Sequence, residues 1–292
     1  MSAFIQQVVN GVAVGCMYGL VALGFVLVYK ATELVNFAQG ELLMLGAFSA
    51  YTLIGIFGLP YWLGFLLSIV IMLAFGALLD VAIFRPVLGQ PQFALVMLTI
   101  GLGFVLRSVA AMVPGWGVQF HSFDTPFTNR QLSFFGVSIA MEHVSMIVGT
   151  AILCALLLLL FRSSRIGIAM QAASQNQLAA YCMGVPVRAM FTLIFAIGAG
   201  IAAIAGVLLS PISLVDSQLG FIVLKAFPAA VLGGFGSIPG AVVGGIIIGL
   251  IEQFSGLYLN DSLKNISPYI VLLLVLVFMP EGIFGRAEAR KV

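Results

Sequence analysis

Long apolar runs recur along this chain with short polar segments between them, and they restrict the environments in which it can fold. A helix needs about 20 predominantly apolar residues to cross the hydrocarbon core of a bilayer. We place spans at residues 5–28, 41–58, 61–84, 93–113, 143–161, 189–209 and 267–280. Backbone amides in lipid must be paired internally, and the sequence lacks the short alternating pattern of barrel strands. The prediction is an all-α fold, a polytopic transmembrane helical bundle that forms a single domain over residues 1–292.

Composition supports a membrane protein and excludes several functions. Of the 292 residues, 62% are hydrophobic and 8% are charged, compared with roughly 25% charged residues in soluble domains. A formal net charge of +2 provides no basic field for a nucleic-acid partner. Three scattered cysteines and two histidines predict no metal site and no cofactor. The chain also lacks the Gly-x-x-x-x-Gly-Lys-Ser/Thr motif that cradles phosphates, so we expect no ATP hydrolysis by that mechanism and predict that the chain is not an enzyme.

Basic residues predict how the chain is oriented, because cytoplasmic loops collect Lys and Arg. The loop at 114–142 carries a single arginine among aromatic and hydroxyl side chains, which suits the outer face. Because each span crosses the membrane once, counting from this loop places both ends of region 221–254 outside and the C-terminus in the cytoplasm. The basic residues assigned to the inner face are Lys30, Arg85, Arg162, Arg165, Arg188, Arg286, Arg290 and Lys291.

Each half of the chain contains one interruption of the apolar pattern. In the first half the stretch ELVNFAQGE places polar groups and a glycine between two runs. In the second half, two apolar arms, each shorter than a span, flank a glycine-rich stretch, so region 221–254 is predicted to be a hairpin of short or broken helices. Paired interruptions indicate a transport site built from a repeat. The alternative for residues 30–40 is a simple cytoplasmic turn that leaves Glu33 and Glu41 in solvent and headgroups.

Irregular backbone at membrane depth is tolerated only where it is buried in protein or lines a water-filled cavity. The two interruptions are therefore predicted to form the wall of a translocation pathway through broken or re-entrant helices. The candidate pathway residues are Asn36, Phe37, Gln39, Gly40, Phe227, Gly233, Gly234, Gly236 and Ser237.

The segment at 163–188 is predicted to be a short cytoplasmic helix. Ser163 or Ser164 can cap its start, its interior is rich in alanine, and Gly184 followed by Pro186 is a typical stop. Two interpretations remain open for this helix. It packs on its own bundle, or its small side chains and basic ends dock a soluble motor subunit.

Charged residues separate an externally driven permease from an ion-coupled transporter, which places a titratable carboxylate near the membrane midplane. All six carboxylates considered are expected near span ends, where side chains reach the headgroups. These are Glu33, Glu41, Asp80, Glu142, Asp216 and Glu252. Lys225 is either a contact for a substrate carboxylate or, as we favour, a residue at the outer mouth or a half-helix end. The lack of charged rings argues against a passive channel.

Three motifs resemble the shorter permease subunit of bacterial branched-chain amino-acid ABC importers. The first is NFAQGE with a following GAF, at Asn36–Glu41 and Gly46–Phe48. The second is a block similar to KAFxAAVLGGxGSIPGAxxGG, at Lys225–Gly245. The third is a cytoplasmic motif matched at Gly167, Ala172, Asn176, Ala179 and Gly184, with Gln171 where the family usually has arginine. The resemblance extends over nearly the whole chain.

The resemblance implies a half-channel in the bacterial inner membrane that transports leucine, isoleucine or valine. Its implied partners are a second homologous permease, two cytoplasmic ATP-binding subunits and an extracytoplasmic substrate-binding protein, and the sequence leaves a homodimer or a heterodimer of permeases open. An importer of urea or short amides and an ion-coupled amino-acid transporter are the alternatives. The residues implied in coupling to the ATPase are Arg165, Gly167, Gln171, Ala172, Asn176 and Gly184.

Overall fold

A computed structural model describes residues 2–32, 35–87, 90–128, 130–134, 137–279 and 281–285. Within these ranges the chain is a bundle of helices, and the predicted all-α polytopic fold is confirmed. Glu33 and the basic tail of Arg286, Arg290 and Lys291 lie outside the described residues. The helices are α1 (Ser2–Thr32), α2 (Gln39–Tyr51), α3 (Tyr61–Leu79), α4 (Arg85–Val87), α5 (Gln92–Met112), α6 (Met141–Ser163), α7 (Arg165–Gln175), α8 (Gln177–Cys182), α9 (Val187–Ser213), α10 (Ile222–Gly233), α11 (Ile238–Tyr258) and α12 (Asp261–Phe278).

Six of the helices in the described ranges are long and apolar enough to cross a membrane. They correspond to α1, α3 with its extension, α5, α6, α9 and α11. The extension of α3 is a π-helical turn, Asp80–Phe84, that leads into α4. A second π-helical turn, Thr52–Ile56, continues α2. Helix α12 begins at Asp261, earlier than the predicted span at 267–280.

Two central helices, α1 and α9, organise the packing. Helix α1 packs against α11 and α10, while α9 packs against α3 and α2. Each central helix therefore packs on the two helices that follow the other central helix in sequence. Glycine permits the close approaches, because a Cβ at Gly15 of α1 would overlap the backbone of Ile246 in α11, and one at Gly76 of α3 would overlap that of α9. The two halves thus pack in a related way, as a repeat predicts.

The two ends of the bundle can be told apart by their contacts. At one end, where α1 and α6 finish, the Lys30 ammonium lies 5.7 Å from the centre of the Phe161 ring. We name this the Lys30 end. At the opposite end, the Trp116 end, the indole of Trp116 donates to the Thr52 hydroxyl at 2.8 Å. The loop at this end contains a two-stranded antiparallel hairpin of β1 (Gln131–Phe134) and β2 (Val137–Ala140), which the sequence analysis did not predict.

The segment at 163–188 differs from the predicted single helix. It forms two helices, α7 and α8, because Asn176 breaks the first and caps the second. Ser164 Oγ accepts from the Gly167 amide at 2.9 Å at the start of α7, as predicted. Asn176 Oδ1 accepts from the Ala179 amide at 2.9 Å at the start of α8. The Gly184 φ of +82° then ends the pair in a left-handed conformation that glycine adopts without strain.

The hairpin predicted at 221–254 is present, but two of its predicted features are wrong. Only its first arm, α10, is short, since α11 has 21 residues and is long enough to span. The glycine-rich stretch also lies at the Lys30 end and not midway along the bundle. Here the Ile283 amide donates to the Leu232 carbonyl at 2.8 Å, and the Phe235 ring centre lies 4.7 Å from that of Tyr29.

Candidate functional site

The first break in helical structure is the segment Val35–Ala38, which precedes α2. Asn36 is only 1% exposed, and its Oδ1 accepts from the Ala38 amide at 3.2 Å. The Phe37 amide donates to the Thr99 hydroxyl of α5 at 3.3 Å. This non-helical backbone is thus held by local and neighbouring polar groups inside the bundle, as irregular backbone at membrane depth requires.

Helix α2 begins well inside the bundle. The Gln39 Nε2 donates to the Gly198 carbonyl of α9 at 3.0 Å, and a Cβ at Gly24 of α1 would overlap the Gln39 amide. Gly24 lies roughly two turns from the end of α1. The chain therefore turns back after α1 and starts a half-helix about two turns inside the bundle. The burial of Glu41 rules out a turn that leaves this carboxylate in solvent.

The second break is the segment Leu214–Phe221, between α9 and α10. Leu214 has a φ of +43°, and the Val215 amide then donates to the His121 carbonyl at 2.8 Å at the Trp116 end. The side chains of Asp216 and Ser217 are buried, and the segment closes with a 3-10 turn, Leu219–Phe221. The real interruption of the second half is thus this segment, upstream of the glycine-rich stretch.

The two breaks meet at a contact between two glycines. A Cβ at Gly40 would overlap the Gly220 carbonyl, and a Cβ at Gly220 would overlap the Glu41 carboxylate. From this contact α2 runs to the Trp116 end and α10 runs to the Lys30 end. We name it the glycine junction, and it places the first turns of two opposed half-helices side by side.

An ion pair between a buried glutamate and a half-buried arginine adjoins the glycine junction. Glu41, in the first turn of α2, pairs with Arg107 of α5. The Arg107 guanidinium carbon also lies 3.7 Å from the centre of the Phe221 ring, at the end of the second break. Arg107 was not predicted as a site residue, although an arginine within an apolar span is unfavourable without a partner and was therefore a usable signal.

A second ion pair, between a half-buried lysine and a buried glutamate, lies at the first turn of α10. Lys225 Nζ donates to Glu252 Oε1 of α11 at 2.8 Å and to Asn265 Oδ1 of α12 at 2.9 Å. The Tyr18 hydroxyl of α1 donates to Glu252 Oε2 at 2.6 Å. Lys225 therefore joins α10 to its neighbours near the start of a half-helix.

The carboxylates Glu41, Asp80, Asp216 and Glu252 are buried, so their expected placement among headgroups is wrong. Glu41, Asp80 and Glu252 each pair with a cation. Asp80 Oδ2 accepts from the Thr192 hydroxyl at 2.6 Å and lies 3.5 Å from Arg85. Insertion of a charged side chain into the hydrocarbon has an unfavourable free energy, and a partner of opposite charge offsets much of it. The charged groups therefore belong to the helix-packing interfaces.

Aromatic rings continue from the glycine junction towards the Lys30 end. The ring centres of Phe37 and Phe227 are 5.6 Å apart, and the Phe25 ring contacts both. Phe227 in turn contacts Phe235, 5.8 Å away between centres. We name Phe25, Phe37, Phe227, Phe235 and Tyr29 the aromatic ladder. It links the first break to α10 and to the turn that follows α10.

Polar atoms without a hydrogen-bond partner among the described residues gather at the first break. They are Asn36 Nδ2, Gln39 Oε1, Glu41 Oε2 and Arg107 Nε. Asn36, Gln39 and Glu41 are 1%, 1% and 7% exposed. Buried polar atoms are hydrogen-bonded in the great majority of proteins, so a group of unpartnered ones marks a place able to bind a polar ligand.

The predicted site residues divide into three groups by position. Asn36, Phe37, Gln39, Gly40 and Phe227 come together around the glycine junction and the aromatic ladder. The second group, Gly233, Gly234, Gly236 and Ser237, lies apart from them in the turn between α10 and α11.

The third group consists of the residues implied in coupling to an ATPase. Arg165 and Asn176 are exposed, whereas Gly167 is buried against the end of α6. Gln171 Nε2 donates to the Phe161 carbonyl at 3.0 Å, so this side chain is directed into its own bundle. The remaining members, Ala172 and Gly184, are half-buried and exposed.

A helical membrane bundle in which two opposed half-helices meet at a buried polar junction has the architecture of a multi-pass transport permease. The chain's relationships to known proteins identify the family. Residues 7–278 match the family described as branched-chain amino acid transport system / permease component. The chain belongs to this family, whose members are permease components of ABC-type transport systems and not enzymes.

Individual relatives cover nearly the whole chain. The high-affinity branched-chain amino acid transport system permease protein LivH of Escherichia coli K12 is 35% identical, over 99% of this chain and 98% of the relative. BraD of Pseudomonas aeruginosa, with the same description, is 34% identical over 99% and 98%. Among solved structures, a chain of PsaBC from Streptococcus pneumoniae in complex with Fab aligns with a TM-score of 0.50 at 15% identity, covering 94% of this chain and 92% of that one. This last likeness concerns the fold alone.

Proposed function

We propose that this chain forms half of the translocation pathway of an ATP-driven importer for branched-chain amino acids. The observation that supports it most directly is the glycine junction, where the two breaks meet in the middle of the bundle. Family membership and the names of the relatives support leucine, isoleucine and valine as the substrates. Family membership favours this function over an importer of urea or short amides and over an ion-coupled transporter.

The pathway passes the first break and continues along the aromatic ladder. Asn36, Gln39 and Gly40 offer polar contacts beside the junction, and Phe37 and Phe227 offer apolar ring faces. The rings of Phe37 and Phe227 are in contact, so the passage is closed at this level in the conformation described. The turn with Gly233, Gly234, Gly236 and Ser237 forms the mouth at the Lys30 end.

Segment 163–188 transmits movement from the ATP-binding subunits. Its outward surface includes three exposed apolar side chains, Leu178, Tyr181 and Met183, which are 74%, 71% and 84% exposed. Exposed apolar groups of this size favour a docking surface on a protein partner. Arg165, Ala172, Asn176 and Gly184 frame that surface, while Gly167 and Gln171 fix the segment to its own bundle.

The complete transporter contains a second homologous permease, two cytoplasmic ATP-binding subunits and an extracytoplasmic substrate-binding protein. The chain lies in the bacterial inner membrane as a multi-pass protein with its C-terminus in the cytoplasm. In this orientation the Lys30 end faces the cytoplasm, and loop 114–142 at the Trp116 end receives the binding protein. Clustering of basic residues at the Lys30 end supports that orientation.

Reconstitution into vesicles tests the proposal. The chain, its homologous permease and the ATP-binding subunits are inserted together, and uptake of labelled leucine is followed with the binding protein outside and ATP inside. Uptake should require ATP hydrolysis and should survive ionophores that collapse ion gradients. Uptake driven by an ion gradient without ATP would instead establish a secondary transporter, and ATP-driven uptake of urea but not leucine would replace the substrate class.

A further inference from the structure

We infer that Glu41 and Arg107 form a subsite that binds the charged end of a zwitterionic α-amino acid during passage. This inference rests on the proposed function and adds the residues that recognise the substrate. Both side chains adjoin the glycine junction, since the Glu41 carboxylate lies against Gly220 and Arg107 lies over the Phe221 ring. The pair therefore stands between the two breaks, on the route proposed for the solute.

The charges of the pair complement those of the solute. A guanidinium binds a carboxylate through parallel N–H···O bonds, and a carboxylate accepts from an ammonium. An α-amino acid therefore replaces the Glu41–Arg107 pair by two new pairs, Arg107 with its α-carboxylate and Glu41 with its α-ammonium. No buried charge is left without a partner in the exchange, which would otherwise be strongly unfavourable.

Unpartnered atoms show that the pair has unused binding capacity. Glu41 Oε2 and Arg107 Nε lack hydrogen-bond partners among the described residues, as do Asn36 Nδ2 and Gln39 Oε1 beside them. Asn36, Gln39 and Glu41 are each more than nine-tenths buried. The Lys225–Glu252 pair differs here, because both carboxylate oxygens of Glu252 accept hydrogen bonds.

The apolar part of the solute has a matching surface nearby. The Phe37 ring of the aromatic ladder comes from the same break as Asn36, a few residues before Glu41. A branched aliphatic side chain directed towards the Lys30 end would pack on Phe37 and Phe227. A neutral amide such as urea has neither a carboxylate nor an ammonium group, so it cannot replace both members of the ion pair. The subsite thus selects zwitterions.

The test compares single and double neutral variants in the reconstituted importer. Glu41→Gln and Arg107→Met each remove one charge, and the combined variant removes both. If the pair binds substrate, leucine uptake falls by about tenfold or more in each single variant and does not recover in the double variant, because each charge makes its own contact with the solute. If the pair is only structural, the double variant restores uptake towards the unsubstituted level, since no buried charge then lacks a partner.

Two measurements make the outcome decisive. The ATP-binding subunits should co-purify with the double variant, which shows that the complex assembles. The combined Lys225→Met and Glu252→Gln variant is the matched control, and its uptake should exceed that of the Glu41/Arg107 double variant by about tenfold or more. Recovery of leucine uptake in the Glu41/Arg107 double variant overturns the inference alone. Absence of leucine uptake in the unsubstituted complex overturns the proposed function and the inference with it.

Discussion

The two breaks of this bundle share a geometry but differ in their polar groups. Each brings a largely buried segment outside the α-helices back from one end of the bundle and starts a half-helix at the glycine junction. The first comes from the Lys30 end and the second from the Trp116 end. Val35 and Asn36 of the first break and Gly40 at the start of α2 recur at the same spacing as Val215, Asp216 and Gly220 of the second break. Both the backbone path and the glycine at the junction are thus repeated.

The charges at the half-helix starts are opposite. A helix N-terminus carries a partial positive charge, which favours the Glu41 carboxylate in α2 and disfavours the Lys225 ammonium in α10. Lys225 is compensated by Glu252 and Asn265, and that network is complete. The network around Glu41 has unpartnered atoms. The comparison therefore assigns an anchoring role to the second break and leaves the first one able to bind a solute.

The largest effect is expected where the anchor is broken. Lys225→Met leaves Glu252 buried without its cation, and such uncompensated charges lower the free energy of unfolding by about 3–5 kcal/mol. The measurement is the thermal unfolding midpoint of the purified complex in detergent, which should fall by several degrees. Adding Glu252→Gln should recover most of that loss. A single variant as stable as the unsubstituted chain would show that the second break is not anchored by this pair.

A smaller effect is expected at the glycine junction. Gly40→Val places a branched side chain against the Gly220 carbonyl, and such overpacking costs about 1–3 kcal/mol. It should lower both the thermal midpoint and leucine uptake, because α2 and α10 can no longer approach each other. Gly101→Val is the matched control, since a Cβ at Gly101 has no neighbour within 4 Å among the described residues. Equal behaviour of the two variants would contradict the close contact between the breaks.

Much of the fold was predictable because apolar length is a strong signal. Long runs located α1, α3, α5, α6 and α9, whereas α11 was taken for a short arm, and the polar stretch around Asn36 correctly located the first break. The second break was misplaced because its residues, LVDSQLG, contain one glycine and only a three-residue polar run at 216–218. The glycines at 233–240 were more conspicuous, yet they serve a tight turn and close helix packing. The recurrence of Val, Asn or Asp, and Gly at one spacing was the signal that could have found the second break.

The polar site was less predictable because its partners are distant in sequence. Glu41 and Arg107 lie on different helices, and neither run of sequence indicates which side of its helix faces inward. A carboxylate near the end of a predicted span was read as facing headgroups, whereas re-entry of residues 35–38 moves Glu41 into the centre of the bundle. Side-chain pairing across helices depends on tertiary packing, which composition and periodicity do not specify.

Coupling between the breaks can be measured through the aromatic ladder. The Phe37 and Phe227 rings belong to different halves, and aromatic pairs of this separation contribute about 0.5–1.5 kcal/mol beyond area burial. A double-mutant cycle with Phe37→Ala and Phe227→Ala should give a coupling energy of that size in unfolding measurements. The control cycle pairs Phe37→Ala with Phe254→Ala, whose ring contacts Phe4 and Tyr258 instead. Additive effects in the first cycle would show that the two rings, and with them the two breaks, are not energetically coupled.

The smallest effect is expected at Leu214, where the second break begins. Its φ of +43° with a ψ of 157° is a conformation that glycine tolerates and that costs other residues about 1–3 kcal/mol. Leu214→Gly releases this strain but adds backbone freedom to the unfolded chain, which offsets about 0.5–1 kcal/mol. We therefore expect a small rise in the thermal midpoint for Leu214→Gly and a fall for Leu214→Val, because a β-branched side chain is poorly tolerated at positive φ. A lower midpoint for Leu214→Gly than for Leu214→Val would show that the backbone at Leu214 is not strained. Backbone strain would then not distinguish the second break from the first.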